Sequence, residues 1–124
     1  MALIWPPKDP DEILDYDVDW TKRLYSEAEA LQYADAIAAD PTKADDLPSS
    51  VVAPADTISC STFTLPAPTG SAPLLANSST FSPTRTKVWL AAGNVGDALQ
   101  IINRIVTAGG RTMDQTIKLK IKTK

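Results

Sequence analysis

The sequence predicts a mainly β fold: an antiparallel sandwich with an extended N-terminal arm and one inserted amphipathic helix. Three observations support this prediction. Apolar and polar residues alternate strictly in two segments, further β-rich runs are separated by turn residues, and one stretch has a helical period. Because 124 residues suit a single domain, we place the sandwich at residues 13–124.

Residues 1–12 are predicted to form an extended, proline-rich arm. Its prolines fix the backbone φ and push the preceding residues toward extended geometry. We expect the large apolar side chain of Trp5 to pack either against the edge of its own domain or against a neighbouring subunit. Because such an arm can reach across a subunit boundary, its candidate interface residues are Trp5, Pro6 and Pro7.

Residues 14–20 form the first predicted strand. Apolar residues occupy every second position and aspartates lie between them, as in a strand that is buried on one face. This alternation predicts four core residues: Leu14, Tyr16, Val18 and Trp20. We expect Asp15, Asp17 and Asp19 on a solvated face, because a calcium loop would need a glycine and a glutamate that are missing here.

Residues 26–39 change to a helical period. Ser26 and Glu29 have the spacing of a capping box, and the helix with its following loop forms an insertion at about 25–55 between the first two strands. Its alanine-rich stripe is shallow, so we expect it to pack flat against the sheet or a neighbouring chain. Three candidate interface residues lie on this stripe: Leu31, Ala34 and Ile37.

Further strands are predicted at residues 57–65, 87–91 and 99–107, followed by a last strand around residues 117–122. Phe63 and Trp89 are expected in the core. In the last strand, apolar residues alternate with lysines. The apolar set is also expected in the core: Ile117, Leu119 and Ile121. The lysines face water or an acidic partner and are candidate interface residues: Lys118, Lys120 and Lys122.

Charge is divided unevenly along the chain. Residues 1–60 carry thirteen acidic and four basic side chains, whereas residues 61–124 carry two acidic and eight basic ones. This asymmetry favours head-to-tail contacts between subunits or contacts with a partner, although pairing of the first and last strands would neutralise the same charges within one chain. We expect no nucleic-acid partner, because the basic residues lack interleaved aromatic side chains.

The composition excludes several kinds of chemistry. The sequence has no histidine, the commonest general base and zinc ligand. Cys60 is the one cysteine and has no neighbouring cation, so we expect an unreactive thiol without a disulfide. No apolar run approaches the roughly 20 residues that span a bilayer, and the start lacks the regions of a signal peptide. We expect a non-enzymatic protein with no catalytic residues, no cofactor, no metal and no membrane partner.

Ordered short motifs resemble those of small virion structural proteins of tailed bacteriophages. The resemblance covers most of the chain outside residues 25–55 and rests on Trp5-Pro6-Pro7-Lys8-Asp9-Pro10-Asp11-Glu12, Leu14-Asp15-Tyr16, Asp19-Trp20, Asp56-Thr57-Ile58, Thr62-Phe63-Thr64, Val88-Trp89-Leu90, Asn103-Arg104-Ile105 and Thr107-Ala108-Gly109-Gly110-Arg111-Thr112. It implies an immunoglobulin-like β-sandwich. The family joins its first two strands by a short link, which marks the helix and loop here as an insertion.

The resemblance also implies a role in the virion after synthesis in the host cytoplasm. The main expectation is a capsid decoration (cement) protein that stabilises the head, and the alternative is a structural module of the neck, tail or baseplate. The implied partners are other virion proteins, either the major capsid protein or neck and tail proteins, together with further copies of the chain in a homo-oligomer. A third interpretation is an immunoglobulin-like module that binds carbohydrate or a host surface, which would need an exposed aromatic platform.

Overall fold

The computed structural model describes residues 3–66 and 73–123. Within them the fold is mainly β, as predicted, and seven strands form two sheets in the orders β1-β7-β6-β3 and β2-β5-β4. The strands are β1 (Leu3–Ile4), β2 (Leu14–Asp19), β3 (Ile58–Thr64), β4 (Leu75–Phe81), β5 (Arg85–Ala91), β6 (Ala98–Thr107) and β7 (Thr112–Lys120). Neighbouring strands are antiparallel except β1, which runs parallel to β7.

The helical elements lie between β2 and β3. They are α1 (Thr21–Leu24), α2 (Glu27–Ala39), a 3-10 helix (Pro41–Asp45) and α3 (Pro48–Val51). The capping box at the start of α2 is complete, because the Ser26 hydroxyl accepts from the Glu29 N–H and Glu29 Oε1 accepts from the Ser26 N–H. The segment after α2, which the sequence predicts to be a loop, contains two short helical elements, the 3-10 helix and α3.

The core lies between the two sheets. Inward-facing positions alternate with exposed ones along β5, β6 and β7, so each strand contributes one apolar face. The buried apolar residues are Trp5, Tyr16, Val18, Trp20, Leu24, Ile58, Val88, Leu90, Ile101, Ile105, Ile117, Leu119 and Ile121. Leu14 and Phe63 are partly buried and pack against this cluster.

A buried polar network joins the two sheets at Trp20. The indole N–H donates to Asn103 Oδ1 at 2.9 Å and lies 3.3 Å from Thr86 Oγ1, while the Thr86 hydroxyl donates to the same Asn103 oxygen at 2.6 Å. The Asn103 amide then donates to Ser61 Oγ and to the Thr62 carbonyl on β3. This network satisfies polar groups that would be costly to bury alone.

Trp89 corrects the predicted core. It is 38% exposed and lies on the outer face of its sheet, opposite Asp15 on β2 and Ser78 on β4. Successive side chains of a strand point to opposite faces, and here Val88 and Leu90 occupy the inner face. Trp89 is thus a surface residue.

The N-terminal segment also differs from the predicted interface arm. Trp5 is 5% exposed, stacks on Tyr16 with ring centroids 4.7 Å apart, and donates its indole N–H to the Asp17 carbonyl. Pro6 is exposed and Pro7 is half-buried. Because its own domain covers Trp5, this residue is not available to a partner; residues 1 and 2 lie outside the described ranges.

Lys8 fixes the same segment to the sandwich. Its side chain is fully buried, and its ammonium group donates to the carbonyls of Ala92 at 2.7 Å and Asp9 at 2.8 Å. Its backbone forms a parallel bridge with Ile121. The described part of the segment is therefore an edge of the larger sheet.

Candidate interaction surfaces

Two aspartates of β2, Asp15 and Asp17, lie on the outer face of the smaller sheet and pair with bases on β5. Arg85 lies 3.3 Å from Asp17, and Lys87 lies 3.4 Å from Asp15 and 3.9 Å from Asp17. Antiparallel register places these residues across from or diagonal to one another. The ion pairs of β2 are thus formed with β5 rather than with the last strand.

An exposed ion pair ties the helical insertion to the turn between β6 and β7. The Arg111 guanidinium contacts Asp56 Oδ2 at 2.8 Å and donates to the Leu24 carbonyl at 2.8 Å, while the Gly109 N–H donates to Asp56 Oδ1. Burial would raise the pKa of Asp56, but bonds from Gly109, Thr107 and Arg111 outweigh it and hold that pKa below its ordinary value. These contacts place the insertion at the end of the sandwich where β7 begins.

Two further groups hold the insertion together. The Glu29 carboxylate that completes the capping box also accepts from the Ala55 N–H at 2.7 Å. The hydrogen bond from the Ser26 N–H lowers the pKa of Glu29 most, and the bond from the Ala55 N–H lowers it further. The Tyr25 hydroxyl lies 2.8 Å from the Val52 carbonyl. The base of α2 is thereby fixed to α3 and to the start of β3.

The predicted apolar stripe of α2 does not pack against the sheet. No residue of this 13-residue helix is buried, Leu31 is 62% exposed, Ala34 is exposed and Ile37 is half-buried. A helical period places Glu27, Leu31 and Asp35 in one row, with Ala34 beside it. We call these four residues the helix face.

The predicted lysines lie on or just after the far end of β7. Lys118, Lys120 and Lys122 are exposed, and Ile4 on β1 pairs with Lys118 and is 75% exposed. In residues 3–66 and 73–123, no acidic group forms an ion pair with any of the three lysines. We call these lysines together with Ile4 the lysine face.

The described residues hold no group of three His, Cys, Asp or Glu side chains that could bind a metal ion. Cys60 on β3 is exposed and lies opposite Val106, which is exposed as well. No helix in the described part of the chain has the length and apolar character to span a membrane.

Comparison with known proteins gives one family. A family model described as podophage GP4 fiber-tail adaptor protein gp77 matches residues 46–120, more than half of the chain. The matched residues contain α3 and the five strands β3 to β7, whereas β1, β2 and α2 precede them. A search of curated proteins found no match.

Proposed function

Because this chain belongs to the podophage GP4 fiber-tail adaptor protein gp77 family and is thus a phage tail-related structural protein, we propose that it is a non-enzymatic adaptor that helps attach fibers to the tail. The match to residues 46–120 is the observation that carries this proposal. It covers the strands that build most of both sheets. The partners would be other virion proteins at the tail.

We thus favour a structural module of the tail over a capsid decoration protein. The family description refers to an adaptor between fiber and tail. A decoration protein could use an arm that reaches across subunits, whereas residues 3–12 pair with the larger sheet of their own chain. Surfaces that remain exposed for partners include the helical insertion and the ends of the sheets.

The scaffold of the adaptor is, in our proposal, an immunoglobulin-like sandwich. In that fold, strands B, E and D lie in one sheet and C, F and G in the other. The order β2-β5-β4 corresponds to B-E-D, and β3-β6-β7 corresponds to C-F-G. The strand β1 would then correspond to strand A, placed beside β7, the counterpart of strand G, and parallel to it.

The exposed aromatic residues give less support to a carbohydrate-binding module. Trp89 and Phe81 are both exposed, but Phe81 lies opposite the inward-facing Thr86 and Trp89 lies opposite Ser78. Directly opposed residues share a face of the sheet, so the two rings lie on opposite faces. They do not form one stacking platform for a sugar.

A nonsense mutation in the phage that carries this chain tests the proposed function. A stop codon at Leu65, grown without a suppressor, removes β4 to β7. We expect particles with filled heads that lack attached fibers, and fibers restored by supplying the chain in trans. Particles with normal fibers, or particles whose defect is a fragile head, would refute the adaptor role.

A further inference from the structure

The helix face and the lysine face carry opposite charge and are both exposed. Glu27 and Asp35 flank Leu31 on α2, and α2 contains no basic residue. At the other site Ile4 pairs with Lys118, and Lys120 and Lys122 follow toward the end of the same segment. Each surface thus combines an exposed apolar residue with charges of one sign.

The charged residues of both faces form no ion pair with the described part of the chain. In the described ranges, neither Glu27, Asp35 nor any of the three lysines has an ion pair. Asp15 and Asp17 on β2, by contrast, are matched by bases on β5. The two faces therefore hold a charge excess that a partner of opposite sign would neutralise.

The helix packs only partly within its own chain. Isolated helices shorter than about 12–15 residues are marginal in water, and in proteins helices depend on a packed face. The 13-residue α2 has a capping box, and its Tyr33 lies beside Tyr25 with ring centroids 5.7 Å apart, but none of its residues is buried. A partner on the helix face would bury Leu31 and add apolar packing.

The helical insertion is anchored at one end of β7 and the lysines lie toward the other. Arg111 bonds to the Leu24 carbonyl where β7 begins, and Lys118 and Lys120 are among the last residues of the strand. A strand rises about 3.3 Å per residue, so the nine residues of β7 separate its two ends by roughly 25–30 Å. Within residues 3–66 and 73–123, no ion pair joins the helix face to the lysine face.

We propose that the helix face of one copy docks on the lysine face of a second copy, giving a head-to-tail oligomer. Because the two surfaces differ, each copy keeps one free face of each kind, and the contact repeats until a ring closes or a filament forms. The proposal deepens the adaptor function, since a closed ring would present several equivalent fiber sites. The contact itself is testable on the purified chain.

The test is a charge swap followed by sedimentation velocity at low and high salt. Lys118→Glu with Lys120→Glu makes both faces acidic, and Glu27→Lys with Asp35→Lys makes both faces basic. We expect the unmodified chain to form oligomers that salt weakens, and each double variant to dissociate with a Kd at least about tenfold higher. An equimolar mixture of the two variants restores assembly, because each variant then meets a complementary face.

A matched control reverses two acids of the insertion outside the helix face. Asp45→Lys with Asp46→Lys makes the same charge change on exposed residues and should assemble like the unmodified chain. Circular dichroism confirms that every variant folds. A monomeric unmodified chain at low salt, or double variants that assemble alone, or a mixture that stays monomeric, would each overturn the proposed contact. Fiber attachment in the nonsense mutant is scored separately, so failure of the contact and failure of the adaptor function give different results.

Discussion

The indole N–H of Trp20 donates a hydrogen bond to Oδ1 of Asn103 across the interface of the two sheets, at 2.9 Å. Both side chains are fully buried. Trp20 follows β2 in the smaller sheet, and Asn103 lies on β6 in the larger one. Together with the Thr86–Asn103 bond, this contact joins the two sheets through directional hydrogen bonds, whose geometry is specific where apolar packing alone is not.

Replacing Asn103 should cost about 3 kcal/mol of unfolding free energy. Asn103→Ala removes the oxygen that accepts from both the Thr86 hydroxyl and the Trp20 indole N–H, and each unsatisfied buried group costs about 1–3 kcal/mol. Urea unfolding measures the change. Gln100→Ala is the control because Gln100 is exposed on the same strand. Equal stability of the two variants would contradict the role of the network.

Trp5 should contribute to the stability of an isolated chain. Trp5→Ala removes a buried ring that stacks on Tyr16, and we expect a loss of about 3–5 kcal/mol, as for other emptied aromatic sites. Ile4→Ala, at a neighbouring residue that is 75% exposed, should change stability by less than about 0.5 kcal/mol. A Trp5→Ala chain that melts at the unmodified temperature would show that Trp5 lies outside the fold.

Stability should fall at high pH through Tyr16. Burial, with a smaller effect of Glu12, raises the pKa of Tyr16 from its ordinary value of 10.0 to about 12. The folded state thus favours the protonated phenol, and its stabilising contribution is present below pH 10 and is lost as the pH rises from about 10 to 12. Urea unfolding between pH 9 and 11 should show this decline in the unmodified chain. Stability should decline less in Tyr16→Phe. An identical decline in the two chains would refute the contribution of Tyr16 to the pH dependence.

Asp56 should anchor the insertion in a pH-dependent way. Its lowered pKa means that its contribution is present above the unfolded value near 4 and is lost as the pH falls through the folded value. Asp56→Asn should increase hydrogen exchange in residues 21–51 at neutral pH, because the asparagine no longer pairs with the Arg111 charge. Asp15→Asn is the matched control, since Asp15 pairs with Lys87 on the outer face of the smaller sheet. Exchange that rises equally in both variants would contradict the anchor.

The buried face of a strand can be predicted from the sequence where apolar residues alternate with charged ones. In residues 14–19 and 117–120, aspartates or lysines mark the outer phase, so the apolar phase must face inward. The capping box likewise places the start of α2, because Ser26 and Glu29 are close in sequence. These signals are local and do not depend on the rest of the fold.

The features that the sequence leaves open depend on distant contacts. Residues 88–90 are all apolar, so the phase that places Trp89 outside is fixed only by pairing with β2 and β4. The strand β4 lacks a signal because its Ser, Asn, Thr and Ala residues do not alternate and all are exposed. The segment with Trp5 pairs with β7, more than a hundred residues away, and no local pattern indicates that partner.

The most direct test of the adaptor function is the number of copies of this chain in purified virions. Quantitative mass spectrometry against the major capsid protein measures it, and immunogold labelling shows where the chain lies. For an adaptor at the tail, we expect a small, fixed number of copies per virion, with the label confined to the tail. Copies in proportion to the capsid subunits, with label over the head, would contradict it and indicate decoration.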